Sequence, residues 1–420
     1  MPDSVTHLGY GAFGGCSSLE AIHLPPNLDG LREYTFKGCK ALKTIQLPTT
    51  LRTVPPSAFE ECEALEHVDF PPALESIGSR AFFKCRALRS ANLPDSLQQL
   101  SCHSFAYCTA LSTLRLSPNL RVIPPQAFDH ALGPETLEFP PGIRIVCKRA
   151  FEGCMGIRRI LVGNSVELLE KEAFDGCNSL ETVHIGAALR HVGRWALGSS
   201  GKLRTIEVDA ANRKYAAEDG ILYTKDFREL LRCPAARKGC VRVRDGVRHI
   251  GVSAFEWCEE LERIELPESV TLIDQLAFSK CHALMEILLP KGIVAIKREA
   301  FADCTTLKSV CIPASCLRIG YRAFTGCKCL ASVQLPPTLV RLADYAFFEC
   351  ESLASMSVPD NLACLGSCVF SRCTALREIY LPKAFANKAE DLRLFDECPQ
   401  FPHVLTIHTP VHESDAHHEE

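Results

Sequence analysis

The stretch "AFFKCRALRSANLPDSLQQLSCH", residues 81–103, decides the fold, because its pattern begins again at once with Ser104 and Phe105. A phenylalanine recurs every 23 residues in two series, with a leucine closing the first series. The series are Phe13, Phe36, Phe59, Phe82, Phe105, Phe128, Phe151, Phe174 and Leu197, and then Phe255, Phe278, Phe301, Phe324, Phe347 and Phe370. Fifteen in-phase copies without a low-complexity linker favour one long array over several globular domains.

Apolar residues take fixed positions within each period. If the phenylalanine is position 0, aliphatic residues recur at positions 6, 9 and 11 as L-x-x-I-x-L, and a proline usually follows at position 12. The alternation predicts a short strand with one buried face, and the proline ends it because proline cannot donate to a strand ladder. Apolar residues at positions 15 and 18 predict a second extended segment. The A-F-x-x-C segment predicts a single tight helical or 3₁₀ turn.

The complete unit, L-x-x-I-x-L-P-x-x-L-x-x-I-x-x-x-A-F-x-x-C, resembles the BspA-like leucine-rich repeat found in bacterial surface proteins and in some protists. The match runs from about residue 2 to about residue 408. The resemblance implies protein binding, often adhesive and at a cell surface, and it implies no catalytic residues. We therefore expect a β-rich solenoid: a right-handed leucine-rich-repeat superhelix of about 15 coils with short parallel strands in two sheets, tight helical turns and one inserted β-hairpin.

The insertion lies between Leu197 and Phe255, where 58 residues replace one period of 23. Within it, Asp219-Gly220 is a hairpin turn signal, and "ILYT" and "ELLRC" are two short strand-like runs around "KDFR". We predict a first repeat block at 1–208, a hairpin-bearing insertion at 209–246 and a second repeat block at 247–383. An atypical last coil and a disordered tail, which contains His408, His412, His417 and His418, follow at 384–420.

Cysteine occupies position 3 of most coils, three residues after each phenylalanine. Stacked coils bring these residues close enough for disulfides, but they point the Cβ atoms in the same direction, which opposes disulfide geometry. We therefore favour a buried ladder of free thiols, with a disulfide ladder as the alternative, and free thiols favour a reducing compartment. The ladder comprises Cys16, Cys39, Cys62, Cys85, Cys108, Cys154, Cys177, Cys258, Cys281, Cys304, Cys327, Cys350, Cys373 and, in the last coil, Cys398.

A partner would meet the outward positions of the first strand, which are positions 7, 8 and 10. Tyr380 is the one aromatic residue at position 10, so that column lacks the aromatic anchors of a typical interface. Arg158, Arg159, Leu161 and His184 combine two guanidinium groups with an outward apolar residue just before the insertion. These four residues are the candidate partner-binding patch, although ordinary exposed strand residues are the stronger explanation of them.

Composition argues against several other functions. With 46 basic and 50 acidic residues interspersed along the chain, no polyelectrolyte partner is indicated, and the basic stripe with stacking aromatics that nucleic acid requires is absent. No apolar run is long enough to span a membrane. The cysteine and histidine spacings match no metal site, and no motif indicates a cofactor or catalytic group, so we predict a monomeric protein that is not an enzyme and has neither metal nor cofactor. The letters "GYGAFG" at 9–14 are a local version of the repeat turn rather than a dinucleotide loop.

The N-terminal residues show neither a basic region nor an apolar region of a signal peptide, which predicts a cytoplasmic protein. However, "MPDSVTHLGYGAF" begins in the middle of a period. A chain that extends upstream with a signal peptide would instead be extracellular or on the cell surface. Three functions are therefore compared: a repeat scaffold that binds protein through its strand face, a surface adhesin, and an enzyme, which is disfavoured because no catalytic constellation interrupts the repeat.

Overall fold

The computed structural model describes residues 1–198, 200–386 and 388–399. The chain is a parallel β-solenoid of about 16 turns with almost no helix, which confirms the predicted fold class. It divides into two compact units, Met1–Lys225 (unit 1) and Asp226–Glu420 (unit 2). This division falls inside the predicted insertion, and the predicted limits of the two repeat blocks stay a prediction.

Unit 1 contains two series of short strands, one from positions 8–11 and one from positions 17–18 of the coils, followed by two antiparallel strands of the insertion. In chain order they are β1 Ala21–Ile22, β2 Thr44–Gln46, β3 Thr53–Val54, β4 His67–Asp69, β5 Ser76–Ile77, β6 Ser90–Asn92, β7 Gln99–Leu100, β8 Thr113–Arg115, β9 Val122–Ile123, β10 Thr136–Glu138, β11 Ile145–Val146, β12 Arg159–Val162, β13 Leu168–Leu169, β14 Thr182–Ile185, β15 His191–Val192, β16 Thr205–Val208, β17 Tyr215–Glu218 and β18 Ile221–Thr224.

Unit 2 begins within the predicted insertion, continues the two series and adds one short helix. Its elements are β19 Glu229–Arg232, β20 Gly239–Arg242, β21 His249–Ile250, β22 Leu261–Glu265, β23 Leu272–Ile273, β24 Glu286–Leu288, β25 Ala295–Ile296, β26 Ser309–Cys311, β27 Arg318–Ile319, β28 Ser332–Gln334, β29 Arg341–Leu342, β30 Ser355–Ser357, β31 Cys364–Leu365, β32 Glu378–Tyr380 and α1 Lys383–Ala386.

Strands of one series pair in parallel with the strands of the next coil, 23 residues further on. In β2 and β4, for example, Ile45 lies opposite Val68, and both are buried while their strand neighbours face solvent. In unit 2 the second series runs in the order β19-β21-β23-β25-β27-β29-β31. Each coil is therefore closed by the apolar faces of the coils beside it, as the 23-residue period predicts.

The phenylalanines form a stacked column between the two strand series. From Phe13 to Phe174 in unit 1, successive ring centroids lie 5.0–5.5 Å apart with nearly parallel planes. Phe82 is fully buried, and Phe70 packs edge-on against it. The columns explain why position 0 is restricted to one large apolar ring, since a smaller residue would leave a void in the stack.

The A-F-x-x-C segments form tight turns, but these turns are not helical. Residues two before and two after the phenylalanine have positive φ, as at Arg80 (56°) and Lys84 (61°) around Phe82, and this left-handed backbone interrupts a helix. Within the turn, the N–H of Cys85 donates to the carbonyl of Phe82 at 3.2 Å, while the N–H of Phe82 donates to the carbonyl of Ser104 in the next coil at 2.8 Å. The turns thus form a third ladder of hydrogen bonds between coils.

The position-3 cysteines line the interior beside the phenylalanine column, and Cys16 is the exception because it lies in the first coil and is exposed. Each ladder thiol from Cys39 to Cys177, and from Cys281 to Cys398, lies 3.1–3.3 Å from the carbonyl oxygen of a phenylalanine in the preceding coil. Cys258 follows the insertion and contacts the carbonyls of Cys233 and Pro234 at 4.0 Å instead.

The inserted hairpin is confirmed. β17 and β18 pair antiparallel, with Glu218 opposite Ile221, so that Asp219 and Gly220 are the two turn residues. Both have positive φ, 49° and 74°, as the hairpin turn of an Asp-Gly pair requires. The run "ILYT" is the second strand of this hairpin, and its partner, Tyr215–Glu218, is a strand that the sequence pattern did not single out.

The predicted last coil and tail, 384–420, are described in part. After α1 the chain continues in turns, and Cys398 is buried with its thiol 3.1 Å from the carbonyl of Phe370. The predicted disorder of the tail, and His408, His412, His417 and His418, lie outside the described residues.

Candidate functional site

The four candidate patch residues lie on adjacent strands of unit 1. β12 carries Arg159 and Leu161, β14 carries His184, and Arg158 immediately precedes β12. The register places Leu161 directly opposite His184, so the structure brings these two side chains together on the outer face. Leu161 is 38% exposed although its strand neighbours Ile160 and Val162 are buried. A large aliphatic side chain thus faces solvent where a polar residue is usual.

Both guanidinium groups of the patch already have partners in neighbouring coils. Nη1 of Arg158 lies 3.5 Å from Oε1 of Glu181, and Nε of Arg159 donates to Oγ1 of Thr136 at 3.1 Å. Arg158 is exposed and Glu181 is half-buried, and ion pairs near the surface contribute only about 0–1 kcal/mol. A partner that offers a carboxylate could therefore replace Glu181 at little cost.

The Arg158–Glu181 pair belongs to a column in which acidic and basic residues alternate from coil to coil at position 7, with one interruption at Ser112. Lys43 Nζ lies 3.0 Å from Glu20 Oε2, and Arg89 Nη2 lies 3.3 Å from Glu66 Oε2. Because charges at this position neutralise one another across coils, the strand face of unit 1 presents a mixed surface and no single-sign field. The alternation can be read from the sequence, because position 7 recurs every 23 residues.

Unit 2 contains a groove at the same strand face that the sequence analysis did not select. The hydroxyl of Tyr380 on β32 donates to Oδ1 of Asp360 at 2.8 Å, and burial together with this hydrogen bond raises the pKa of Tyr380 to about 12. The only sequence signal for it was the isolated aromatic at position 10. The groove has a volume of about 570 Å³ and is lined by Leu335, Pro337, Ser357, Val358, Pro359, Asp360, Asn361 and Tyr380.

No group of three or more His, Cys, Asp or Glu side chains is arranged to hold a metal ion within residues 1–198, 200–386 and 388–399. Over the same ranges, no helix has the length and apolar character needed to cross a bilayer.

The coil geometry agrees with a known repeat family. The family model described as a BspA type leucine rich repeat region matches residues 1–112, 98–217, 240–327 and 294–404 in six copies. Among curated proteins, none matches the chain.

Two solved structures with similar folds are a leucine-rich repeat protein from Bacteroides ovatus and a leucine rich cell surface protein from Faecalibacterium prausnitzii. The first is 23% identical with a TM-score of 0.54, covering 94% of this chain and 86% of that one. The second is 24% identical with a TM-score of 0.59, covering 86% of this chain and 87% of that one. These identities show the shared fold alone. Since the family model matches most of the chain, the protein belongs to the BspA-type leucine-rich repeat family.

Proposed function

We propose that the chain is a non-enzymatic repeat scaffold that binds a partner protein through the patch Arg158, Arg159, Leu161 and His184 on its first strand series. The observation that carries this proposal is the exposure of Leu161 directly opposite His184, with two guanidinium groups beside them. An apolar contact next to two exposed arginines has the composition of a protein interface. The family is generally a protein-interaction scaffold without catalysis, which supports this direction.

The absence of enzymatic activity is part of this proposal. Several carboxylates of the strand face, such as Glu20, Glu66 and Glu181, pair with basic residues of the adjacent coil. A pair of carboxylates for acid–base catalysis would need one group without such a partner and with a pKa near neutrality. We also propose a monomer in a reducing, cytoplasmic compartment, because buried thiols that lie at hydrogen-bonding distance from carbonyls would be lost on oxidation.

The test is affinity capture from the native cell with the full chain as bait, followed by quantitative mass spectrometry. We expect the double substitution Arg158→Glu and Arg159→Glu to lower recovery of a specific partner by about tenfold, which corresponds to about 1.4 kcal/mol. Lys43→Glu is the matched control, because it breaks an equivalent pair with Glu20 in the same column, away from the patch. Equal recovery of the partner with the double variant and with the control would show that the patch does not bind it.

A cell-surface adhesin is the second candidate, because the similar protein from F. prausnitzii is described as a leucine rich cell surface protein. Labelling of intact native cells with a membrane-impermeant amine reagent separates the two locations. Labelling of this chain at the level of a known surface protein would support the adhesin and exclude the cytoplasmic proposal. Labelling only after lysis would exclude the adhesin.

A further inference from the structure

An apolar stripe runs along the second strand series of unit 2. Val294, Leu317 and Val340 occupy position 16 in three consecutive coils and are 45%, 40% and 43% exposed. Backbone hydrogen bonds of 2.9 Å join them directly, from the N–H of Leu317 to the carbonyl of Val294 and from the N–H of Val340 to the carbonyl of Leu317. Consecutive side chains of the stripe are therefore one coil apart, about 4.8 Å.

The same position in unit 1 carries mostly charged residues, and some of these form pairs between adjacent coils. There Arg52 forms an ion pair with Glu75, and Arg144 Nη1 lies 2.8 Å from Glu167 Oε1. Position 16 thus faces solvent in these coils, and oppositely charged side chains are compatible with that exposure. Three successive aliphatic residues at this position in unit 2 depart from that pattern, and contiguous exposed apolar surface typically marks a contact surface.

Two arginines border the stripe. Arg318 and Arg341 follow Leu317 and Val340 in sequence, are exposed, and lie directly opposite each other in the parallel pair of β27 and β29. Neither has an ion pair with any residue in the described part of the chain. Like charges directly opposite in a sheet repel each other, so this arginine pair favours a ligand that supplies negative charge.

We propose that the stripe and the arginine pair form a docking surface for an acidic amphipathic α-helix of a partner protein. A helix rises about 1.5 Å per residue, so side chains at i, i+3 or i+4, and i+7 are about 4.5–6 Å apart along one face. That spacing matches successive coils of the stripe. An extended strand repeats same-face side chains about every 6.6 Å and would lose register within two coils. Aliphatic side chains of the helix lie on Val294, Leu317 and Val340, and its flanking carboxylates face Arg318 and Arg341.

This surface lies on a different strand series from the patch at Arg158 and stands whether or not that patch binds a protein. The probe is a synthetic, fluorescently labelled helical peptide of about 18 residues, with leucines at i, i+3, i+4 and i+7 and glutamates beside them. A twin peptide carries lysine in place of each glutamate. Fluorescence anisotropy with the full chain at about 0.15 M salt measures both affinities under conditions that screen distant charges.

We expect micromolar binding of the acidic peptide and at least about tenfold weaker binding of the lysine twin. The double substitution Arg318→Glu and Arg341→Glu should weaken acidic-peptide binding by about tenfold or more, and Leu317→Ser by about fivefold. Arg121→Glu is the control, because Arg121 is an exposed position-16 arginine of unit 1 beside the exposed Val122. It should leave binding unchanged.

Cysteine alkylation locates the bound peptide. Cys364 is exposed and lies opposite Arg341 in the next strand, whereas the exposed Cys311 lies on the first strand series. The proposal expects the acidic peptide to slow alkylation of Cys364 and not of Cys311. Three results would each overturn the proposal: protection of Cys311 instead of Cys364, equal binding of the two peptides, and no binding at about 100 µM peptide.

Two other occupants are tested with the same variants. A concentration-dependent dimer in sedimentation experiments that the double substitution abolishes would assign the surface to a second copy of the chain. Binding to vesicles of phosphatidylserine and phosphatidylcholine that the double substitution abolishes, without binding of the acidic peptide, would assign it to a membrane. Either outcome overturns the partner helix.

Discussion

The carbonyls of most core phenylalanines have two donors nearby, and both come from cysteine; the exceptions are Phe105, Phe128 and Phe174, whose own or next coil has alanine or serine at position 3. The oxygen of Phe82 accepts the N–H of Cys85 within its own turn at 3.2 Å and lies 3.2 Å from the thiol of Cys108 in the next coil. A carbonyl has two lone pairs, so both of its acceptor sites are used inside the core. Cysteine is small enough for this interior and still carries a donor, which explains why position 3 so rarely changes along the chain.

We predict that Cys108→Ala lowers the free energy of unfolding by about 1–2 kcal/mol, through the lost sulfur contacts and the lost thiol hydrogen bond. Urea denaturation followed by circular dichroism measures the change. Cys329→Ala is the control, because Cys329 is exposed, and it should change stability by no more than about 0.5 kcal/mol. Equal effects of the two substitutions would mean that the ladder thiols do not contribute to the core.

The cysteine ladder could be predicted only in part from the sequence. Burial of the cysteines could be predicted, because in most coils the cysteine follows the core phenylalanine by three residues. The phenylalanine carbonyl as thiol partner does not follow from it, because that contact joins atoms 26 residues apart and depends on how one turn lies over the next.

Among the elements, the turns depart most from what the residue types predict. Left-handed backbone is easiest for glycine, and Gly153 and Gly176 occupy the position two residues after the phenylalanine in their coils. Gly15, Gly38 and Gly326 occupy it in three other coils, and the remaining described coils have non-glycine residues there, such as Glu61, Lys84 and Tyr107, with the same positive φ. Hydrogen bonds from the neighbouring coils impose this conformation. The prediction of a helical turn was wrong because it considered only the residues within one turn.

The turn between β10 and β11 gives an element-scale prediction. A Cβ added to Gly142 would lie 1.8 Å from the carbonyl oxygen of Pro118 in the preceding coil and 2.8 Å from that of Leu120. Because these contacts are to backbone, the coils must separate, and we predict that Gly142→Ala costs about 2–3 kcal/mol of stability.

The matched control for this turn is Gly201→Ala, since a Cβ there meets nothing within 4 Å. Thermal unfolding of both variants by circular dichroism measures the difference. We expect the control to unfold like the parent chain, within about 0.5 kcal/mol. An unchanged melting temperature for Gly142→Ala would contradict the close stacking of these turns.

For the whole molecule, the period was sufficient to predict the solenoid, because every coil repeats the same apolar positions and each must be covered by its neighbours. The candidate binding surfaces were harder to predict from the sequence, because residues at outward positions vary from coil to coil and give no repeating signal. Leu161 could be selected from the sequence as an outward apolar residue at position 10, whereas no sequence pattern indicated that Val294, Leu317 and Val340 are exposed. Position 16 borders a strand of two residues, and so short an element leaves the direction of its flanking side chains undetermined by alternation.

The state of all the cysteines together provides the last prediction. The chain has 23 cysteines, and the five exposed ones are Cys16, Cys240, Cys311, Cys329 and Cys364. Burial raises the pKa of Cys39 to about 11 and that of Cys177 to about 12, so these thiols remain protonated at about pH 8, and the thiolate is the reactive species.

A colourimetric thiol titration of the native chain should therefore show a fast phase of about five groups and a much slower remainder that reacts only as coils open. In guanidinium chloride nearly all 23 should react at once. A fast native phase of most of the thiols would show that stacked coils do not exclude the reagent. A denatured total below about ten would contradict the ladder of free thiols, because each disulfide bridge removes two thiols from the titration.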